Sequence, residues 1–109
     1  MVFVAQVVSL DIIAYDNDIE RAAFALKAMS HPLRLKILCA LGEKELSVQD
    51  IVDRVGTTQS NVSQHLAKLR DKDILTSRRD ANRIYYRIKN EQILRLIEMM
   101  RDLFCSDMS

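Results

Sequence analysis

Ser47-Val48-Gln49-Asp50-Ile51-Val52-Asp53-Arg54-Val55-Gly56-Thr57-Thr58-Gln59-Ser60-Asn61-Val62-Ser63-Gln64-His65-Leu66-Ala67-Lys68-Leu69-Arg70-Asp71-Lys72 is the stretch that decides the fold. Ser47 stands three residues ahead of Asp50, the spacing of a capping box, with Asp in place of the longer Glu or Gln. A short helix is expected from about Val48 to Val55, with Ile51, Val52 and Val55 apolar. Gly56-Thr57-Thr58 reads as a turn, and a second helix follows from about Gln59 to Lys72, with Val62, Leu66 and Leu69 at core spacing. Two short helices joined by a three-residue turn that contains Gly have the helix-turn-helix signature.

The second helix has an unusual surface. Gln59, Ser60, Asn61, Ser63, Gln64 and His65 surround the core residue Val62. A solvated helix face ordinarily carries Glu, Lys and Arg, whereas here uncharged hydrogen-bonding groups come first and Lys68, Arg70 and Lys72 follow. Amides and hydroxyls near the start of such a helix suit base edges in a major groove. Cations further along suit phosphates. The alternative is a helix start whose Ser, Thr and Asn merely cap it.

Working outward toward the C-terminus, the periodicity changes. Ile74–Arg79 and Arg83–Ile88 are short β-rich runs joined by Asp80-Ala81-Asn82, which suits a hairpin turn. A basic hairpin directly after a helix-turn-helix is a wing. Arg79 and Arg83 flank its tip as candidates for phosphate or minor-groove contact. Either one can instead pair with Asp80 or a surface Glu. Asn90 then caps a last helix, about Glu91 to Cys105, whose apolar stripe is Ile93, Leu96, Ile97, Met100, Leu103 and Phe104.

Toward the N-terminus, a helix from about Pro32 to Leu41 turns Leu33, Ile37, Leu38 and Leu41 inward, and Gly42 ends it. Before it, Ile19 to Met29 places Ile19, Ala22, Ala23, Leu26 and Met29 on one face, and Asp16-Asn17-Asp18 is expected to cap it. Residues 1–15 form an arm or an extra helix, and residues 16–109 form one domain. The expected fold is mainly α with a small β-hairpin wing, a winged helix-turn-helix.

Composition agrees with this order and removes other classes. The chain has 109 residues, 49% hydrophobic and 28% charged, the mix of a soluble domain with a modest core that dimerisation would complete. With two Gly and one Pro, it has too few turn residues for an all-β sandwich. No apolar run is long enough to span a membrane, and the N-terminus makes a poor signal peptide, so a cytosolic location is expected. The net charge of +1 hides an asymmetry: Thr57 to Lys89 holds eight basic and three acidic residues, while both flanks are mildly acidic. A concentrated basic stretch is the footprint of phosphate contact, although a solvated charged face gives the same count. No GxGxxG, Walker A, HExxH, GxSxG or CxxC is present, so an enzyme, a thiol oxidoreductase included, is not expected and no cofactor is implied.

In this order of elements the chain resembles the ArsR (arsenic-repressor) family of winged-helix repressors. Three blocks carry the resemblance: Leu26-Lys27-Ala28-Met29-Ser30-His31-Pro32-Leu33-Arg34-Leu35-Lys36-Ile37-Leu38, then Glu45-Leu46-Ser47-Val48-Gln49-Asp50-Ile51, then Gln59 through Arg70. It implies a homodimer whose first and last helices form a helical interface, bound to an inverted-repeat operator in double-stranded DNA and released by an inducer. The usual inducer in the family is a metal, but the matching positions are poor. The arsenic-type Cys-x-Cys place reads Ser47-Val48-Gln49, and the zinc-type places read Asn90 and Gln92, then Leu103 and Ser106. His31 and His65 are expected to lie too far apart in role to make a ligand set, so no metal is expected.

The two cysteines remain. Cys39 on the second helix and Cys105 at the end of the last resemble the pair in the persulfide- and redox-responsive branch of the family. The resemblance implies that reactive sulfur species join them through a disulfide or polysulfide and that the repressor then leaves DNA. Exchange of this kind needs an attacking thiolate and a resolving thiol. From the residues alone, Cys39 reads equally as core packing, and Cys105 sits at a helix end whose dipole disfavours a thiolate. A metal or metalloid sensor using both cysteines and a winged helix that binds protein rather than DNA stay open as alternatives.

Overall fold

The computed structural model describes residues 16–105, so the segment 1–15 and the last four residues lie outside the described part. In order, the elements are α1 (Asp16–Met29), α2 (Pro32–Leu41), β1 (Leu46–Ser47), α3 (Val48–Val55), α4 (Gln59–Asp71), β2 (Leu75–Asp80), β3 (Arg83–Ile88) and α5 (Glu91–Phe104). The mainly helical winged helix-turn-helix expected from the sequence is the fold observed.

Local chemistry sets most of these boundaries. His31 is extended and caps α2, its Nδ1 accepting the Leu33 N–H at 3.1 Å, and Pro32 follows where a missing N–H costs nothing. The capping box at α3 is complete: Ser47 Oγ accepts from Asp50 N–H at 3.1 Å and the Asp50 carboxylate accepts from Ser47 N–H at 3.4 Å. Gly56 ends α3 at φ 76°, a left-handed conformation that glycine adopts without a Cβ clash. Thr58 caps α4 by accepting from Asn61 N–H at 3.1 Å, and Asn90 caps α5 by accepting from Ile93 N–H at 2.9 Å. At the end of α4 the Asp73 and Ile74 N–H groups donate to the carbonyls of Arg70 and Leu69, both at 3.0 Å. That is a Schellman closure with Asp73, at φ 62°, in the place usually held by glycine.

Three details differ from the sequence reading. Helix α1 begins at Asp16, so the acidic cluster expected ahead of it lies in its first turn, where Asp16 and Asp18 face the positive end of the helix dipole. The hairpin is tighter than expected. Asp80 pairs with Arg83, leaving Ala81 (φ 57°) and Asn82 as the turn, and Ile74 belongs to the helix closure rather than to the strand. The wing also has a third strand. Leu46 and Ser47 pair antiparallel with Tyr86 and Tyr85, giving the order β1-β3-β2.

The core lies between α2, α3, α4 and the sheet. Ile37, Leu38, Leu41, Ile51, Val62, Leu66, Leu69, Ile74 and Leu75 are fully buried. The outer helices contribute little: Ala28 and Met29 from α1, and Ile97 from α5. The inward faces expected on these two helices are therefore largely uncovered within one chain. Ile19, Phe24 and Leu26 are exposed on α1, as are Leu96, Met99, Met100, Leu103 and Phe104 on α5, the last two at 70% and 72%. The apolar periodicity is present, but this chain has no further layer among the described residues to bury it.

Candidate nucleic-acid interface and cysteine pair

The capped start of α4 presents Gln59, Ser60, Asn61, Ser63 and Gln64, all exposed, with Val62 pinned in the core beneath them. Asn61 is partly committed, its Nδ2 donating to Thr57 Oγ1 at 3.2 Å. Gln59 lines a groove of about 270 Å³ with Asn82, Arg83 and Ile84 of the wing and Ser47, Val48 and Gln49 at the start of α3. The fold thus brings the helix start and the wing tip to one surface. Arg79 and Arg83 are both exposed there.

In the hairpin the arginine committed to a carboxylate is Arg78 rather than either of these two. Its Nε and Nη2 reach the Glu45 carboxylate at 2.7–2.9 Å, and its guanidinium lies 4.7 Å from the ring centre of Tyr85, its cross-strand neighbour. The Arg78 hydrogen bonds hold the Glu45 carboxyl below its ordinary range, and the same bonds raise the Arg78 pKa. This bidentate pair ties the wing to the loop ahead of β1. No local pattern connects positions 45 and 78, so it was invisible in the sequence.

Lys68 stands elsewhere. It lines a basin of about 410 Å³ with Phe24 and Lys27 of α1, Arg34 of α2, and Lys72, whose Nζ lies 5.7 Å from the Phe24 ring centre. The sequence reading missed Lys27 and Arg34 as neighbours of Lys68 because they lie outside the helix-turn-helix. The contact between His31 and His65 was not expected either: their rings are 4.5 Å apart, tilted by 39°. The kink at His31-Pro32 turns the cap of α2 onto α4. His65 is half-buried, and its Nδ1 accepts from Arg34 Nε at 3.0 Å. Burial is the main cause lowering its pKa, and the neighbouring His31, Arg34 and Lys68 act in the same direction. Among the described residues no three His, Cys, Asp or Glu side chains cluster as metal ligands would.

Both cysteines are unbridged and half-buried. Cys39 lies on α2, packed against the core, and Cys105 ends α5, its N–H donating to the Arg101 carbonyl at 2.7 Å. Helices α2 and α5 pack together. Cys105 lies near enough to act on the ionisation of Cys39. Burial pushes the Cys39 thiol pKa up, Arg101 pulls it down, and ionised Cys105 opposes its ionisation.

Residues 31–77 match the bacterial regulatory protein, arsR family, profile. The HTH-type transcriptional regulator YgaV of Escherichia coli K12 is 46% identical over 87 residues, 79% of this chain and 88% of that protein. The solved structure of reduced HlyU from Vibrio cholerae superposes with a TM-score of 0.78 at 35% identity, covering 84% of this chain and 97% of that one. The transcriptional repressor BigR from Xylella fastidiosa superposes at 0.75 with 32% identity, covering 89% and 96%. With the helix-turn-helix, the wing and these likenesses in agreement, the chain belongs to the arsR family of bacterial regulatory proteins and is a winged helix-turn-helix transcriptional regulator, not an enzyme.

Proposed function

We propose that this chain is a cytoplasmic, homodimeric repressor of transcription that binds an inverted-repeat operator and is released when a persulfide or related oxidant links Cys39 to Cys105. The observation that carries the sensing part is that two unbridged thiols lie on α2 and at the end of α5, helices that pack together, with Cys105 near enough to oppose the ionisation of Cys39. The repressor part is supported by the likeness to BigR, and a redox state by the likeness to reduced HlyU. In the dimer, the uncovered faces of α1 and α5 meet those of a second copy. Gln59, Ser60, Asn61, Ser63, Gln64 and His65 read base edges, and Lys68, Arg79 and Arg83 hold phosphates.

The switching chemistry balances with a hydropersulfide as the only oxidant. A cysteine thiolate attacks the outer sulfur of R–S–SH, giving a protein persulfide and RS⁻. The second thiolate attacks the protein-bound sulfur, forming the disulfide and releasing HS⁻. The two thiols together give two electrons to the sulfane sulfur, which leaves as sulfide, and their protons go to solvent. When a second hydropersulfide converts the other cysteine to a persulfide as well, its outer sulfur attacks the protein-bound sulfur of the first, forming a trisulfide and releasing HS⁻. This longer bridge suits sulfurs too far apart for a plain disulfide. Either bridge ties α2, which contacts the reading helix through Arg34, to α5. A change in the separation of the two reading helices spoils their fit to half-sites about 34 Å apart.

The test uses a duplex selected from a random-sequence pool by the reduced protein. A persulfide donor is expected to weaken binding roughly 5- to 150-fold, with a Cys39–Cys105 link visible by mass spectrometry. The Cys39→Ser variant is expected to bind DNA and ignore the donor. Unchanged affinity with both thiols free discards the sensor. Binding without a steep salt dependence, unaffected by Arg79→Ala or Gln59→Ala, discards the DNA contact.

A further inference from the structure

Arg34 spans three elements. Its Nε donates to His65 Nδ1 on α4 at 3.0 Å, and its Nη1 donates to the Ala28 carbonyl oxygen near the end of α1 at 2.8 Å. A guanidinium has donors only, so the nitrogen it addresses must be unprotonated. A neutral His65 then carries its proton on Nε2. Among the described residues no buried side-chain nitrogen or oxygen lacks a partner. Among the described residues His65 Nε2 has no hydrogen-bond partner, and it is not fully buried.

We infer that Arg34 is a positioning residue that fixes His65 in its Nε2–H tautomer, so that the reading helix offers a hydrogen-bond donor at this point. The partner of such a group is an acceptor: guanine O6 or N7, adenine N7, thymine O4 or a phosphate oxygen, while the cytosine N4-amino group is refused. The donor role rests on the DNA-binding reading above, whereas the tautomer does not. The cations around it favour the neutral ring. Arg34 and His31 face it from α2 and its cap, Lys68 stands one turn along α4, and Lys27 and Lys72 line the adjoining basin, where Asp71 is the lone acid. The second Arg34 bond ties this position to α1, one of the two helices with an uncovered face, so a shift of that helix reaches a single base-reading nitrogen.

The experiment has two arms on the full-length protein. Long-range proton–nitrogen spectra of the imidazoles are expected to show His65 at neutral pH with Nδ1 bare and Nε2 protonated. Its titration midpoint is expected below the ordinary imidazole value of about 6.5. Arg34→Met is expected to mix the tautomers and raise that midpoint. Arg34→Lys keeps the charge without the fork and separates the two effects. In the second arm, selectivity is the ratio of affinity for the selected duplex to that for a random one. It is expected to fall about tenfold in Arg34→Met and in His65→Gln, the scale of one lost base contact. The double variant is expected to lose no more than either alone. A proton on Nδ1 in the native protein, or a tautomer and midpoint indifferent to Arg34→Met, overturns the positioning role. Additive selectivity losses, or none, overturn the donor role. A native protein that selects no duplex removes the donor role together with the DNA-binding reading while leaving the spectra as they are, so the two failures are distinct.

Discussion

Cys39 is pulled in two directions. Burial beside the core favours its neutral thiol, and Arg101, one helical turn before Cys105 on α5, favours the thiolate. Burial is the larger effect and its pKa lies above the ordinary thiol value, so at neutral pH the proton stays on and reactivity is low. Alkylation of Cys39 by iodoacetamide in a Cys105→Ser background is expected to reach half its plateau at a pH above about 8.5, the midpoint of an ordinary thiol. Arg101→Gln is expected to move the curve to still higher pH. A midpoint at the ordinary value contradicts this account. The sequence placed both cysteines on the right helices because the apolar periods around them are clear. It left Arg101 unmentioned, since its influence on Cys39 depends on how α5 lies against α2. The contact of His31 with His65 was missed for the same reason: a contact across 34 positions leaves no local trace.

Elements with short-range causes were legible, and those made by pairing across the chain were not. The helix-turn-helix was readable because Ser47, Asp50, Gly56 and Thr58 act within four residues of themselves. The third strand was hidden because two residues carry no alternation, and Leu46–Ser47 is a strand only through Tyr85 and Tyr86. The Schellman closure at Asp73 and the turn at Ala81 were obscured because neither is glycine, the residue that usually marks a positive φ. The capping box gives an element-level prediction. Ser47 is buried at 3% exposure, so Ser47→Ala leaves the Asp50 N–H without its acceptor and costs about 1 kcal/mol of stability. Thermal unfolding is expected about 4–8 °C lower. An unchanged midpoint means that the box contributes nothing.

Across the whole molecule, the periodic stripes of α1 and α5 were visible in the sequence, but the sequence does not say whose surface covers them. The structure leaves them open, with Leu103 and Phe104 among the most exposed apolar side chains. In the proposed dimer these faces are core, so Phe104→Glu is expected to give a 12.6 kDa species in sedimentation equilibrium where the native chain gives twice that mass. The same variant is expected to bind the selected duplex at least about tenfold more weakly, because the second half-site is no longer tethered to the first. A native chain that sediments as a single copy contradicts the dimer. Ser47 has a consequence at this scale too. One residue is both the last rung of the sheet and the first anchor of the helix pair, so hairpin and reading head are one rigid tool without a hinge. Extra residues spliced in at Ala81-Asn82 would only lengthen the prong, whereas the same splice at Leu46-Ser47 would disengage the handle from the blade.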